Sequence, residues 1–268
     1  MDVKIAVSKC EDITDTVLRK TKKILPYIGR LFLISTFVED GIRLLFNTSD
    51  HADYFTNGWG INYNFAYFLT FSMGATLLVC SLLVMLRIKV PVTCGLLASV
   101  LFAQIVLYRL YTTYYILSQN VSVLAAILLL FTENELRKPT RSFNQLPQSE
   151  NEVEATSVML CACRLFLNLM LLSIIQFDLS YKRLFLSIIS YGMIFCMWCG
   201  YKTRMVSLLL ATWLFVYNVI ANDFWNKNFE LHIIRYDFFQ ALSAVGGLLL
   251  LIHTGPGELS FDEMKKKW

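Results

Sequence analysis

The stretch "STFVEDGIR" (residues 35–43) interrupts an apolar segment with three charged residues, Glu39, Asp40 and Arg43. A charge near the centre of a bilayer costs about 2.5–3.5 kcal/mol on insertion scales. Three charges that face lipid would be prohibitive, so the segment must turn them towards protein or water. The stretch therefore requires neighbouring helices, or a water-filled cavity, on one side of the segment that carries it.

The composition of the whole chain places it among integral membrane proteins. Of its 268 residues, 56% are hydrophobic and 16% are charged, and the mean hydropathy is +0.53. A soluble domain needs more charge to cover its surface, so this balance excludes the ordinary soluble classes.

Apolar segments recur along the chain at intervals that suit transmembrane helices. Eight can be distinguished, at residues 31–46, 64–86, 90–108, 114–132, 158–177, 184–199, 205–221 and 238–252. Several are shorter than the ~20 residues that a typical bilayer needs, which favours a thin membrane such as that of the endoplasmic reticulum. The predicted fold is all-α, a polytopic transmembrane helical bundle of about eight spans.

Two short similarities suggest that the bundle consists of two four-helix parallel repeats. "RLFLISTF" at 30–37 resembles "RLFLNLML" at 164–171, and "AAILLLFT" at 125–132 resembles "GGLLLLIH" at 246–253. An even number of spans in each half relates the halves by an axis along the membrane normal.

Basic residues predict the orientation of the bundle. On the eight-span pattern, 18 of the 24 lysines and arginines fall on the side of the termini and six on the other side. By the positive-inside rule, both termini are expected in the cytosol. We expect two transmembrane halves, at residues 30–133 and 158–254, joined by a polar cytosolic linker at 134–157. The N-terminal segment 1–29, with an amphipathic helix at 12–25, and the tail 255–268 are both expected to be cytosolic.

The charges of the first span allow two interpretations. Arg43 is spaced i,i+3 from Asp40 and i,i+4 from Glu39, so it can neutralise one of the two carboxylates and leave the other without a cation. One interpretation is an internal ion pair that fixes helix packing. The other is an acidic pocket on the lumenal side that accepts a cation.

The last span carries the second group of polar residues, in "RYDFFQALSAVGGLLLL" (235–251). Asp237 and Gln240 are spaced i,i+3 at the lumenal end, where Arg235 is available as a partner for Asp237. Tyr236 and Phe239 are typical of the aromatic belt at a membrane interface. We expect this group to converge with Glu39, Asp40 and Arg43.

Signatures of catalysis and of cofactor binding are absent from the sequence. Its three histidines show no metal-ligand spacing, and there is no phosphate-binding loop or nucleophile elbow. "CMWC" at 196–199 has the spacing of a redox pair but ends an apolar helix, which favours packing. No enzymatic activity, cofactor, metal or nucleic-acid partner is expected. The alternatives are a polytopic small-molecule transporter and a membrane redox enzyme that uses the intramembrane charges.

Several blocks resemble the surfeit locus protein 4 family of cargo receptors of the endoplasmic reticulum. They are "LFLISTFVEDGIR" (31–43), "YKTR" (201–204), "WLF" (213–215), "YDFFQALSAVGGLLLL" (236–251) and "GPGELSFDEMKKKW" (255–268). The resemblance implies a multi-pass protein that captures soluble secretory proteins in the lumen, often by their exposed amino terminus. It would enter COPII-coated export vesicles and cycle through the ER–Golgi intermediate compartment and the Golgi.

The expected convergence of the two polar groups and the resemblance together suggest roles for particular residues. The candidates for cargo binding are Glu39, Asp40, Arg43, Tyr236, Asp237, Phe239 and Gln240. The lysines of the tail, Lys265, Lys266 and Lys267, are the candidates for a retrieval signal that the COPI coat reads, since Lys265 and Lys266 stand four and three residues from the carboxyl end. Such a signal is an address and not an anchor.

Overall fold

The computed structural model of the chain describes residues 14, 16, 18–21, 23–110, 114–136, 150–174, 181–222, 231–255 and 260. In these residues the backbone is helical apart from short turns, and it contains no strand. The helices are α1 (Leu25–Phe46), α2 (Thr48–Trp59), α3 (Tyr63–Met85), α4 (Val90–Leu107), α5 (Tyr114–Leu136), α6 (Glu150–Ile174), α7 (Tyr181–Cys199), α8 (Thr203–Ala221) and α9 (Leu231–Thr254). The predicted all-α class is confirmed, and α2 is an element that the apolar pattern did not predict.

Four of these helices are long and apolar enough to cross a membrane. They are Tyr63–Met85, Val90–Leu107, Thr203–Ala221 and Ile234–Thr254, and shorter apolar helices cover Val158–Leu169 and Ile188–Cys199. The chain is thus a polytopic membrane protein. The first helix has the length of a span, but its charges, Arg30, Glu39, Asp40 and Arg43, depart from an apolar composition.

The first helix packs along both α9 and α3. Glycines bring the backbones into contact at two points. A Cβ atom on Gly246 of α9 would lie 2.5 Å from the carbonyl oxygen of Gly29 and from the amide nitrogen of Leu33. A Cβ on Gly41 of α1 would lie 3.2 Å from the carbonyl oxygen of Gly74 in α3. Small residues at such crossings let helices approach closely in a membrane, where dispersion forces drive association.

The α3–α4 and α7–α8 connections have the same backbone geometry. Arg87 and Gly200 have φ of +60° and +71°, and two residues later Lys89 and Lys202 have φ of +45° and +47°. Their hydrogen bonds also correspond: the amides of Arg87 and Ile88 donate to Val84 and Leu83, and those of Gly200 and Tyr201 donate to Met197 and Cys196. In addition, α1 packs on α9 as α6 packs on α5. These correspondences support two parallel four-helix repeats.

A buried ion pair lies at the opposite end of α1 from Asp40. The Arg30 guanidinium contacts a carboxylate oxygen of Glu133 in α5 at 2.5 Å, and the two side chains are 3% and 1% exposed. Each charge neutralises the other, which lets both lie inside an apolar bundle.

The predicted peripheral segments are described only in part. In the predicted amphipathic helix 12–25, residues 18–21 are helical, and Arg19 and Lys20 are exposed. Residues 137–149, which form much of the predicted linker, and residues 261–268, which include Lys265, Lys266 and Lys267, lie outside the described residues.

Replacing Gly246 by alanine is expected to lower the stability of the bundle by about 1–3 kcal/mol, because the added Cβ meets backbone atoms that cannot rotate away. Gly95→Ala is the matched control, since a Cβ at Gly95 of α4 has no heavy atom of the described residues within 4 Å. Thermal unfolding of the purified variants in detergent measures both effects. Equal melting temperatures for the two variants would contradict the close α1–α9 crossing.

Candidate functional site

One turn of α1 presents the charges that the sequence analysis singled out, and we call Glu39, Asp40 and Arg43 the acidic turn. Arg43 donates a hydrogen bond from Nη2 to Oδ1 of Asp40 at 2.6 Å. This is the predicted i,i+3 pair, and both side chains keep some exposure, 32% for Arg43 and 14% for Asp40. Asp40 therefore holds Arg43 in place while remaining accessible.

Glu39 points towards the neighbouring helix α9 and is nearly inaccessible, with 4% of its side chain exposed. Arg235 donates from Nε to Oε1 of Glu39 at 3.1 Å. The expectation that one carboxylate lacks an arginine is therefore wrong, because Arg235 lies across the α1–α9 contact and reaches Glu39. The other oxygen, Oε2, is buried and has no hydrogen-bond partner among the described residues.

Aromatic and polar groups of α9 complete the contact with the acidic turn. The Arg43 guanidinium carbon is 6.0 Å from the centroid of the Tyr236 ring, at the limit of a cation–π interaction. One turn before Asp40, the Thr36 hydroxyl donates to the carbonyl oxygen of Phe239 at 3.0 Å. The predicted convergence of the two polar groups is thus seen for Glu39, which bonds Arg235, and for Arg43 with Tyr236, while Phe239 contacts α1 through its backbone at Thr36.

The other two cargo-binding candidates on α9, Gln240 and Asp237, differ in their surroundings. Gln240 is 1% exposed, and its Nε2 has no hydrogen-bond partner in the described part of the chain. Asp237 is partly exposed and lies next to Tyr236 on α9. A buried amide group without a partner is costly, and Gln240 lies too deep to be reached from outside the bundle.

Side-chain hydrogen bonds fix α9 against α8 and α1 at this level. The Asn218 amide of α8 donates to the carbonyl oxygen of Phe238 at 2.9 Å, and Asn222 donates to the side-chain oxygen of Asn218 at 2.8 Å. Further along α9, the Ser243 hydroxyl donates to the carbonyl oxygen of Leu33 at 3.2 Å. These bonds set the register of α9 against its neighbours and so place Arg235 at Glu39.

The helix that the sequence analysis missed, α2, lies beside the acidic turn. His51 of α2 and the hydroxyl of Tyr108 are 2.9 Å apart, and the Trp59 indole donates to the carbonyl oxygen of Leu107 at 2.8 Å. The buried apolar side chains of this helix are those of Ala52 and Phe55. Its end at Gly60, with φ of +67°, is a typical helix C-terminus.

Comparison with known proteins identifies the family. A sequence profile of the SURF4 family matches residues 4–268. The chain belongs to this family. It is 61% identical over 269 residues to an uncharacterised protein of Caenorhabditis elegans, with complete coverage of both chains.

More distant relatives also match over most of their length. The surfeit locus protein 4 homolog of Drosophila melanogaster is 33% identical, with 98% of this chain and 97% of the relative covered. The ER-derived vesicles protein ERV29 of Saccharomyces cerevisiae is 34% identical, with 97% and 83% covered. No solved structure matches the chain.

The arrangement in this member of the SURF4 family is suited to binding a cation. Two carboxylates lie on adjacent residues of α1. That of Asp40 keeps 14% exposure, whereas Oε2 of Glu39 is buried and has no hydrogen-bond partner in the described residues. Two arginines hold the carboxylates in place without occupying every oxygen. An ammonium group carries three donors and no acceptor, so it matches acceptors of this kind.

Proposed function

We propose that this protein is a cargo receptor that captures soluble secretory proteins in the lumen of the endoplasmic reticulum for export to the Golgi. The observation that carries this proposal is the pair of carboxylates in the acidic turn, held against α9 within a membrane-embedded bundle. Intramembrane ionisable residues mark functional sites by default. Here they lie at the end of the bundle that the distribution of basic residues assigns to the lumen.

The ligand that fits the acidic turn is the amino-terminal ammonium of a cargo protein. It would donate to Glu39 or Asp40, and Tyr236 and Phe239 would contact the side chains that follow. A charge-assisted hydrogen bond contributes roughly 1.5–3 kcal/mol. That strength suits a receptor that must also release its cargo.

The relatives support the trafficking role. The name of the yeast relative places that protein in vesicles derived from the endoplasmic reticulum, and 97% of this chain is covered by the match. For this chain we infer incorporation into COPII-coated vesicles and cycling between the endoplasmic reticulum, the intermediate compartment and the Golgi. Both termini are proposed to lie in the cytosol.

Asp40→Asn and Glu39→Gln are each expected to reduce export of cargo by about ten-fold or more, because each removes a charge-assisted contact of roughly 1.5–3 kcal/mol. Asp237→Asn is expected to act in the same direction. Secretion of a soluble cargo from cells that carry only the variant receptor measures the effect.

Asp53→Asn is the matched control for these variants. Asp53 is an exposed carboxylate of α2, outside the acidic turn, and this variant is expected to export cargo normally. Receptor abundance is measured in every case. Degradation of all three site variants would mean that the charges only stabilise the fold, and stable variants with normal export would place the cargo site elsewhere.

We further propose that Lys265 and Lys266, supported by Lys267, retrieve the receptor through the COPI coat. Changing Lys265 and Lys266 to serine is expected to move the protein forward, into and beyond the Golgi, without unfolding it. Extending the chain after Trp268 is expected to do the same, because the coat reads the free carboxyl end. Fluorescence microscopy of tagged variants measures the distribution, and an unchanged distribution in both variants would leave the lysines as a solvated membrane anchor only.

A further inference from the structure

One histidine of the protein, His51, lies beside the acidic turn and has no role in the site as described above. It is half-buried on α2. Its Nδ1 atom is 2.9 Å from the hydroxyl oxygen of Tyr108, and the two rings meet edge-on with centroids 5.5 Å apart. Tyr108 directly follows α4, so this contact ties α2 to the end of α4.

The charged and titratable groups around His51 come from each element packed against it. Asp40 and Arg43 of α1 act on it electrostatically, as does its own neighbour Asp50. Tyr108 supplies the hydrogen bond, and Tyr54 of α2 stacks on the Tyr108 ring with centroids 5.6 Å apart. His51 therefore lies within the electrostatic reach of the proposed cargo site.

The surroundings of His51 favour its neutral form. Burial lowers the pKa of His51 below its usual value, and the positive charge of Arg43 lowers it further. The carboxylates of Asp50 and Asp40 oppose these effects only in part. The imidazole is accordingly neutral at neutral pH and takes up a proton in more acidic solution.

Protonation changes the hydrogen bond as well as the charge. A neutral imidazole has one donor and one acceptor nitrogen, whereas an imidazolium has two donors. Tyr108 must then accept the bond from Nδ1 and can no longer donate to it. The new positive charge also lies close to Arg43 and competes for Asp40, so the field at the acidic turn becomes less favourable to a cation.

We propose that His51 is a positioning residue that makes the affinity of the acidic turn for a cationic ligand depend on pH. Neutral His51 holds α2 and Tyr108 beside the turn in the arrangement that binds the ligand, and its imidazolium weakens binding. The inference rests on the proposed function, because the ligand is the amino-terminal ammonium of cargo.

The direction of the effect follows from linkage. A bound ammonium places one more positive charge near His51 and so lowers the pKa of the imidazole further. By reciprocity, uptake of a proton by His51 must lower the affinity for the ammonium. Binding is thus strong above the pKa of His51 and is lost as the pH falls through it, so cargo would load at neutral pH and leave in a more acidic compartment.

The test uses the full-length protein in lipid nanodiscs and a short fluorescent peptide with a free amino terminus and no lysine. Peptide affinity is measured by fluorescence anisotropy at about pH 7.4 and about pH 5, because burial lowers the pKa of His51 below the usual histidine range. The wild-type protein is expected to bind about five-fold or more weakly at the lower pH. Glutamine in place of His51 stays neutral and can still bond Tyr108. The peptide affinity of His51→Gln should therefore fall much less between the two pH values.

Two further variants test whether the charge of residue 51 causes the pH dependence of binding. His51→Lys carries a charge at both pH values and is expected to bind weakly at both. His253→Gln is the matched control, because His253 lies in the last turn of α9, at the opposite end of that helix from Arg235, and it should keep the wild-type pH dependence. Glu39 and Asp40 are unchanged in all of these variants.

The outcomes separate this inference from the proposed function. If an acetylated peptide binds as well as the free one at about pH 7.4, the proposed function itself fails. If the free peptide binds selectively but His51→Gln retains the full wild-type pH dependence, His51 is not the sensor and the inference is overturned. His51→Asn, a second neutral replacement, decides the question if His51→Gln melts below the wild type.

Discussion

The ion pair between Glu39 and Arg235 is the interaction on which the arrangement of the bundle around the site depends. A carboxylate that is 4% exposed in an apolar helix must find a cation, because an uncompensated charge there costs several kcal/mol. That requirement holds α9 against α1 at one end. The Gly246 crossing with Gly29 does so near the other end, and the hydrogen bonds of Thr36 and Ser243 fix the register between them.

The site occupies only one of two equivalent positions in the bundle. The repeat places α6 against α5 as α1 lies against α9, and the hairpins α3–α4 and α7–α8 share one turn geometry. Yet the second half has Ser173 and Ile174 where the alignment of "RLFL" puts Glu39 and Asp40. The two halves thus share a backbone plan, while the two adjacent carboxylates of the acidic turn belong to the first. This asymmetry favours a single binding site at one end of the bundle. A transporter would need a continuous polar path through the bundle, so the asymmetry also favours a receptor.

Much of this architecture could be predicted from local sequence patterns. Apolar segments located the long helices, and the i,i+3 spacing of Asp40 and Arg43 predicted their contact. The Glu39–Arg235 pair could not be predicted, because it depends on how two helices separated by 196 positions in the chain face one another. Helix α2 was missed since only Ala52 and Phe55 mark its buried side, which is too short a pattern to distinguish from a loop. With α2 the contact between His51 and Tyr108 was missed as well. The roles of the tail lysines rest on the family resemblance and stay a prediction.

Zero-length cross-linking tests the central claim, that the acidic turn receives the amino terminus of cargo, most directly. A carbodiimide activates a carboxylate and joins it to an amine only when the two are in contact, and arginine guanidinium groups do not compete as amines. A lysine-free cargo peptide with a free amino terminus is cross-linked to the full-length receptor, and mass spectrometry locates the new amide bond. The account predicts the bond at Glu39 or Asp40, and its loss when the peptide is acetylated. A bond at Asp50 or Asp53 of α2, with none at Glu39 or Asp40, would contradict it.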